Sequence, residues 1–139
     1  MSFEERSTWG YLAVAIGVST WYFATVLPRL ASTPVSEVSW IPALIAAFIA
    51  SVVGSIVYAA VFAGASPKEA NAKDERDRHI SKHGEYIGGV VLSGLAGGVL
   101  FLLLLDIDKF WAANALYLAF IIQACVSSIV KIVAYRRGL

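Results

Sequence analysis

The side chains able to do chemistry gather in one stretch, Asp74-Glu75-Arg76-Asp77-Arg78-His79-Ile80-Ser81-Lys82-His83-Gly84-Glu85-Tyr86, which holds both histidines of the chain. Residues four apart share one face of a helix. His79 and His83 therefore present both imidazoles to one side, with Glu75 one turn earlier. Nitrogen and oxygen donors of this kind suit zinc. Glu75, His79 and His83 are the metal candidates, with Glu85 or an acid from a second subunit completing the shell. Against this stands a plainer reading: two histidines on an exposed helix need no metal. The chain has no third histidine, and its single cysteine, Cys125, lies inside an apolar run. The leading expectation is therefore no cofactor, with zinc as the alternative. Multi-histidine iron chemistry is excluded, and a lone cysteine forbids an internal disulfide.

The acids and arginines of the same stretch support a second reading. Asp74 with Arg78, and Glu75 with His79, are favourable pairs at helical spacing. Acids early in a helix also suit its dipole. Arg76 and Arg78 are basic groups of the type that contribute about 1 kcal/mol each near anionic headgroups. Asp74, Glu75, Arg76, Asp77 and Arg78 thus read as a charged hub that contacts a protein partner or anionic lipid. Leftover carboxylates can clasp Arg136 and Arg137 near the chain's end.

Enzyme chemistry finds little support. Ser51 and Ser55 sit in an apolar run with no histidine nearby in sequence, so no nucleophile with a base is evident. A proton-coupled exporter needs a carboxylate deep in the membrane. The apolar runs carry no ionised residue until Lys131. An uncharged pathway stays open, lined by Ser51, Ser55, Asn114 and Gln123, although such groups more often bond between helices.

The elements that position these residues are apolar. Of 139 residues, 58% are hydrophobic and 15% charged, against about 25% charged in soluble domains. The mean hydropathy is +0.71. The length suits a single four-span membrane domain over 1–139, with residues 64–86 as the hub between two hairpins. A net charge of +1 gives no nucleic-acid footprint.

Four spans are expected: 9–27, 40–63, 87–105 and 110–134. Trp9 to Leu27 is 19 residues without a charge, which covers about 28 Å, near the hydrocarbon thickness. It is too long for a signal-peptide core. Pro28-Arg29 is expected to end it. Ser39 is the expected N-cap of the second helix, with Pro42 in its first turn, and Gly64 can end it. Small residues recur there every fourth position, at Ala43, Ala47, Ser51, Ser55, Ala59 and Ala63. Such a face permits close backbone approach, either inside the bundle or along a homodimer seam.

Ser66-Pro67-Lys68-Glu69 has capping-box form. A bend is expected before Lys73, then a helix from about Asp74 running without a break into the third span. Gly88, Gly89, Ser93, Gly94, Gly97 and Gly98 make that span small on one side. Phe101 to Leu105 is bulky and expected to face lipid. Asp108 is the expected cap of the fourth helix, and Lys131 is expected to snorkel to the surface.

With four spans, both termini and the hub share one side. Arg6, Lys68, Lys73, Arg76, Arg78, Lys82, Lys131, Arg136 and Arg137 fall there; only Arg29 and Lys109 fall on the other. The positive-inside rule places the richer side in the cytoplasm.

Asp74-Glu75-Arg76-Asp77-Arg78, with Ile80 three residues after Asp77 and Gly84-Glu85-Tyr86-Ile87-Gly88 beyond, resembles a segment of a group of small bacterial membrane proteins of unknown function. In that group an Asp-Glu-Arg-(Asp/Glu)-Arg segment followed by an isoleucine leads into the third of four helices. The resemblance covers residues 74–88 and the four-span layout, and it carries no assigned chemistry. It implies a companion of regulators or transport systems.

The sequence reading is thus an all-α, polytopic four-helix protein of the bacterial inner membrane. It is expected to be a homo-oligomer in contact with membrane lipid, non-enzymatic, and a scaffold or accessory protein with a partner or lipid at its hub. A small oligomeric transporter or channel-like protein is the alternative, and a metal sensor the third.

Overall fold

The computed structural model describes residues 3–65 and 75–137. Four helices make up the fold: α1 (Phe3–Leu30), α2 (Ile41–Ala65), α3 (Glu75–Leu104) and α4 (Lys109–Arg137). All four are long and apolar enough to cross a membrane. A span in lipid must satisfy its own backbone donors and acceptors, which a helix does internally. The protein is an all-α, multi-pass four-helix bundle. Ser66-Pro67-Lys68-Glu69, the bend before Lys73, and Asp74 lie outside the described residues.

The helices are joined by packing in the order α2, α1, α4, α3. The α3–α4 hairpin has the most extensive interface, and α1 packs on both α2 and α4. Among the described residues no comparable interface joins α2 to α3 or to α4. The bundle is therefore tight along α3, α4 and α1 and looser where α2 faces the others. Outward-facing Ile45, Ile49, Val53, Val57 and Val61 of α2 are all exposed, as suits a face covered by acyl chains. Phe101, Leu103, Leu104 and Leu105 are exposed as expected.

Most of the packed core lies near the loop end, away from the termini. Tyr22 and Val26 of α1, Trp40 beside α2, and Phe110 and Tyr117 of α4 belong to one buried cluster. Tyr22 is fully buried. Its ring meets Tyr117 edge-on at 5.2 Å, and Trp40 meets Phe110 at 5.3 Å, both favoured aromatic geometries.

At the terminal end a different device joins α1 to α2. Phe3 packs on Phe62, Phe62 stacks on Tyr58, and Tyr58 meets Tyr11 edge-on. The Tyr58 ring lies against Gly10 so closely that any β-carbon there would overlap it. Gly10 is the socket for that ring.

Several helix ends depart from expectation. Pro28 does not end α1, which runs two residues further to Leu30. A proline removes one internal hydrogen bond, a small loss in a last turn that is about to terminate. Glu4 and Glu5 lie within the first turn of α1 rather than ahead of the helix, where acids suit the dipole. The first backbone bond of α2 runs from Leu44 N–H to the Trp40 carbonyl at 2.9 Å. Trp40, not Ser39, therefore takes the cap position, while Pro42 falls in the first turn as expected. Gly64 lies inside α2, which continues to Ala65. The continuous helix from the hub into the third span is present, beginning at Glu75.

The tight turn between α3 and α4 is capped on both sides. The Asp106 N–H reaches the Leu103 carbonyl at 3.2 Å and the Ile107 N–H reaches that of Leu102 at 3.2 Å. This double closure needs a left-handed residue at its centre, and Asp106 supplies it with φ of 60°. Asp108 then caps α4, accepting from Phe110 N–H at 2.8 Å, as expected. Glycine carries no steric cost in the left-handed region. Asp106→Gly is expected to raise stability by up to about 1 kcal/mol, the lower end of the left-handed cost for an L-residue, read as a higher denaturant midpoint in detergent. A lower midpoint would show that the aspartate side chain contributes more than its backbone strain costs.

Candidate functional site

The closest helix approach in the bundle builds one wall of the site. Gly84 and Gly88 of α3 are both buried. A β-carbon on Gly84 would sit 3.0 Å from the Ser127 carbonyl, and one on Gly88 would sit 3.1 Å from Gln123 Nε2 and 3.2 Å from the Gln123 carbonyl. Two missing side chains thus let α3 lie directly on the backbone of α4. This places Glu85 next to Lys131, and their side chains form an ion pair. The Lys131 side chain is only 17% exposed, that of Glu85 59%. The Lys131 ammonium is met by a carboxylate on the neighbouring helix, a partner 46 residues away in sequence.

Beside this pair a cavity of about 560 Å³ opens at the terminal end, where α2 diverges from the others. All four helices line it. Ser81 and Glu85 come from α3; Gln123, Ser127, Ser128 and Lys131 from α4; Glu4, Thr8 and Tyr11 from α1; Ser55 and Phe62 from α2. The Ser127 hydroxyl is buried without a hydrogen-bond partner. A second cavity of about 380 Å³ is lined largely by apolar groups, among them Phe48, Val52, Ile56, Phe120 and Ile121. Both cavities share Ala15, Ser55 and Ala124 in their walls, so they lie side by side. The apolar slot lies next to the polar chamber and is lined by the middle of α1, α2 and α4. Tyr117 lines it, and its hydroxyl too is buried without a partner. Buried polar groups are seldom left unpaired.

An ionic clasp closes the terminal end above the chamber. Arg136 Nε lies 3.4 Å from Glu5 Oε1, and the guanidinium sits 5.9 Å from the centre of the Trp9 ring. Tyr135 donates a hydrogen bond to the Asp77 carboxylate. A clasp on Arg136 was expected from the hub; the carboxylate that holds its Nε comes from α1. Asp77 of the hub serves Tyr135 instead.

The expected pathway residues separate. Ser51 lines the slot, Ser55 lines both cavities, and Gln123 lines the chamber. Asn114 is not with them. It sits at the loop end, accepting from the Tyr22 hydroxyl at 2.7 Å and donating to the Phe110 carbonyl at 2.8 Å, so its polar atoms serve the core. Of the small-residue face of α2, Ala47 is buried and Ala43, Ser51, Ser55, Ala59 and Ala63 are half-buried. Ser55, Ala59 and Ala63 help to line the chamber.

Of the hub, Glu75, Arg76 and Arg78 are exposed and Asp77 is half-buried. His79 and His83 are exposed. Among the described residues no three His, Cys, Asp or Glu side chains come together in a way that could hold a metal ion. The set of Glu75, His79 and His83 is thus not assembled within the single chain. Two features of the site escaped the sequence reading: the Glu85–Lys131 pair and the chamber itself. The signal for the first was a lone lysine near the end of an apolar run, with an acid beside Gly84 just ahead of the preceding span.

No family model, curated protein or solved structure matches this chain. Function must therefore be read from the site.

Proposed function

We propose that this chain is a non-enzymatic accessory protein of the bacterial inner membrane that holds a membrane lipid between its helices. Both termini and the hub lie in the cytoplasm in this reading, as the charge asymmetry of the loops implies. One observation carries it: a polar chamber at the level of the hub lies next to an apolar slot nearer mid-membrane. A lipid has the same two parts in the same order. Ligand sites are commonly cavities of roughly 300–1,000 Å³ with a few convergent polar groups, and the chamber at about 560 Å³ falls in that range. Arg76 and Arg78 are exposed at the same end, where basic groups attract headgroups. A lipid in this place would steady α2, the helix least tied to the others, and so shape the surface a protein partner meets.

The test is a phospholipid with a photoreactive group midway along its acyl chain, reconstituted with the protein and mapped by peptide mass spectrometry. Labelling of slot residues such as Ser51, Val52 or Ile121 is expected in addition to the outward faces. Labelling confined to outward faces such as Ile49 and Phe101 would refute the reading.

A second reading rests on a specific observation: Ser51, Ser55 and Gln123 line the two neighbouring cavities. In a small oligomeric transporter these cavities would be part of the path. Solute flux in protein-only liposomes, lost in Ser55→Trp, would favour transport over lipid holding.

A further inference from the structure

Within the lipid-binding reading, and resting on it, we infer that the chamber selects a zwitterionic headgroup bearing a primary amine, of the phosphatidylethanolamine type, over a purely anionic one. The charges on its wall give the reason. Glu85 contributes a carboxylate and Lys131 an ammonium. An anionic headgroup would gain Lys131 but would meet the Glu85 carboxylate. An amine-bearing zwitterion answers both signs: its phosphate meets the ammonium, and its own ammonium meets a carboxylate.

The Glu85–Lys131 pair is built for such an exchange. Lys131 is the enclosed partner and Glu85 the exposed one. Glu85 can turn toward the chamber mouth and follow a bound amine, while Lys131 stays within and takes the phosphate. An enclosed ammonium is costly without a counter-charge, so Lys131 needs one or the other at all times. A primary amine also donates hydrogen bonds, which carboxylates accept strongly. Ser127 and Ser128 line the same chamber, and the Ser127 side chain, whose hydroxyl is unpartnered among the described residues, faces Gly88 one turn along α3 from Gly84. It gains a partner if a phosphate oxygen reaches it.

The experiment reconstitutes the protein in bilayers of equal phosphatidylethanolamine and phosphatidylglycerol, then extracts it gently and quantifies retained lipid by mass spectrometry. Wild-type protein is expected to retain phosphatidylethanolamine over phosphatidylglycerol in a ratio of about five to one, a preference of roughly 1 kcal/mol. Glu85→Gln, an isosteric change at an exposed side chain, is expected to bring the retained ratio back to bulk with the helical content unchanged. Retention without preference, or with preference for phosphatidylglycerol, would overturn the headgroup assignment and leave lipid holding intact. Retention of no lipid would overturn both. An unchanged preference in Glu85→Gln would remove Glu85 from the recognition and overturn the assignment as argued.

Discussion

Replacing Tyr22 with alanine is expected to destabilise the bundle by about 3–5 kcal/mol, the range for emptying a buried aromatic site. Tyr22 is fully buried and touches three helices' worth of partners: its ring meets Phe23 on its own helix and Tyr117 on α4, and it clusters with Trp40 and Ala47 at α2. In lipid the hydrophobic effect does not hold helices together; close packing and interhelical hydrogen bonds do. Alanine removes both, because the Asn114 side-chain oxygen loses the hydroxyl that now lies 2.7 Å away. Tyr22→Phe isolates the second part. It should cost only about 0.6–1.7 kcal/mol, the measured span for such bonds in membranes. Equilibrium unfolding of both variants in mixed micelles separates the two terms. A loss under about 1 kcal/mol for Tyr22→Ala, below the floor for emptying a packed aromatic site, would mean that the loop-end cluster is not the core.

The second large effect is expected at Gly84 and Gly88. Leucine at either position is expected to force α3 away from α4, at about 1–3 kcal/mol each, and to separate Glu85 from Lys131. Lys131 Cγ stands 2.5 Å from a β-carbon at Gly84 and Ser127 Cβ 3.0 Å from one at Gly88, and the α4 backbone lies directly behind them, with the Ser127 and Gln123 carbonyls at 3.0 and 3.2 Å. Gly97 and Gly98 supply the contrast. Nothing lies within 4 Å of a β-carbon at either. Alanine there is expected to be neutral or to stabilise by up to about 1 kcal/mol through helix propensity. Unfolding midpoints across the four variants give the answer. Equal losses at Gly84 and Gly97 would contradict the packing of α3 described above.

These glycines also show what a sequence can and cannot say about a membrane bundle. The spans were legible because an uninterrupted apolar run has one purpose, and the Asp108 cap was legible because capping is local. The glycine-rich side of α3 was legible as a close-approach face, but not which of its glycines are used. Gly84 and Gly88 meet α4, while a β-carbon at Gly94, Gly97 or Gly98 would meet nothing within 4 Å among the described residues. That division depends on how α3 is rotated against its partner, a property of two helices at once. The same limit separates Asn114 from Gln123. Both are amides on α4, yet one is held in the core by Tyr22 and the other lines the chamber. Lys131 was read as a surface lysine because its own helix offers it nothing. Its partner arrives on α3, set in place by the absence of side chains at Gly84 and Gly88. Gly10 is a single glycine in a helix, and only the position of Tyr58 reveals it as a socket.

The central claim is that one lipid sits between the helices, head in the chamber and tail in the slot. Native mass spectrometry of the solubilised protein tests it most directly when wild type is compared with Ser55→Trp and Val53→Trp. Ser55 lines both cavities, whereas Val53 faces outward and is half exposed. The account predicts one tightly retained lipid per chain in wild type and in Val53→Trp, and none in Ser55→Trp. Equal retention in all three proteins, or no retained lipid in wild type, would contradict it.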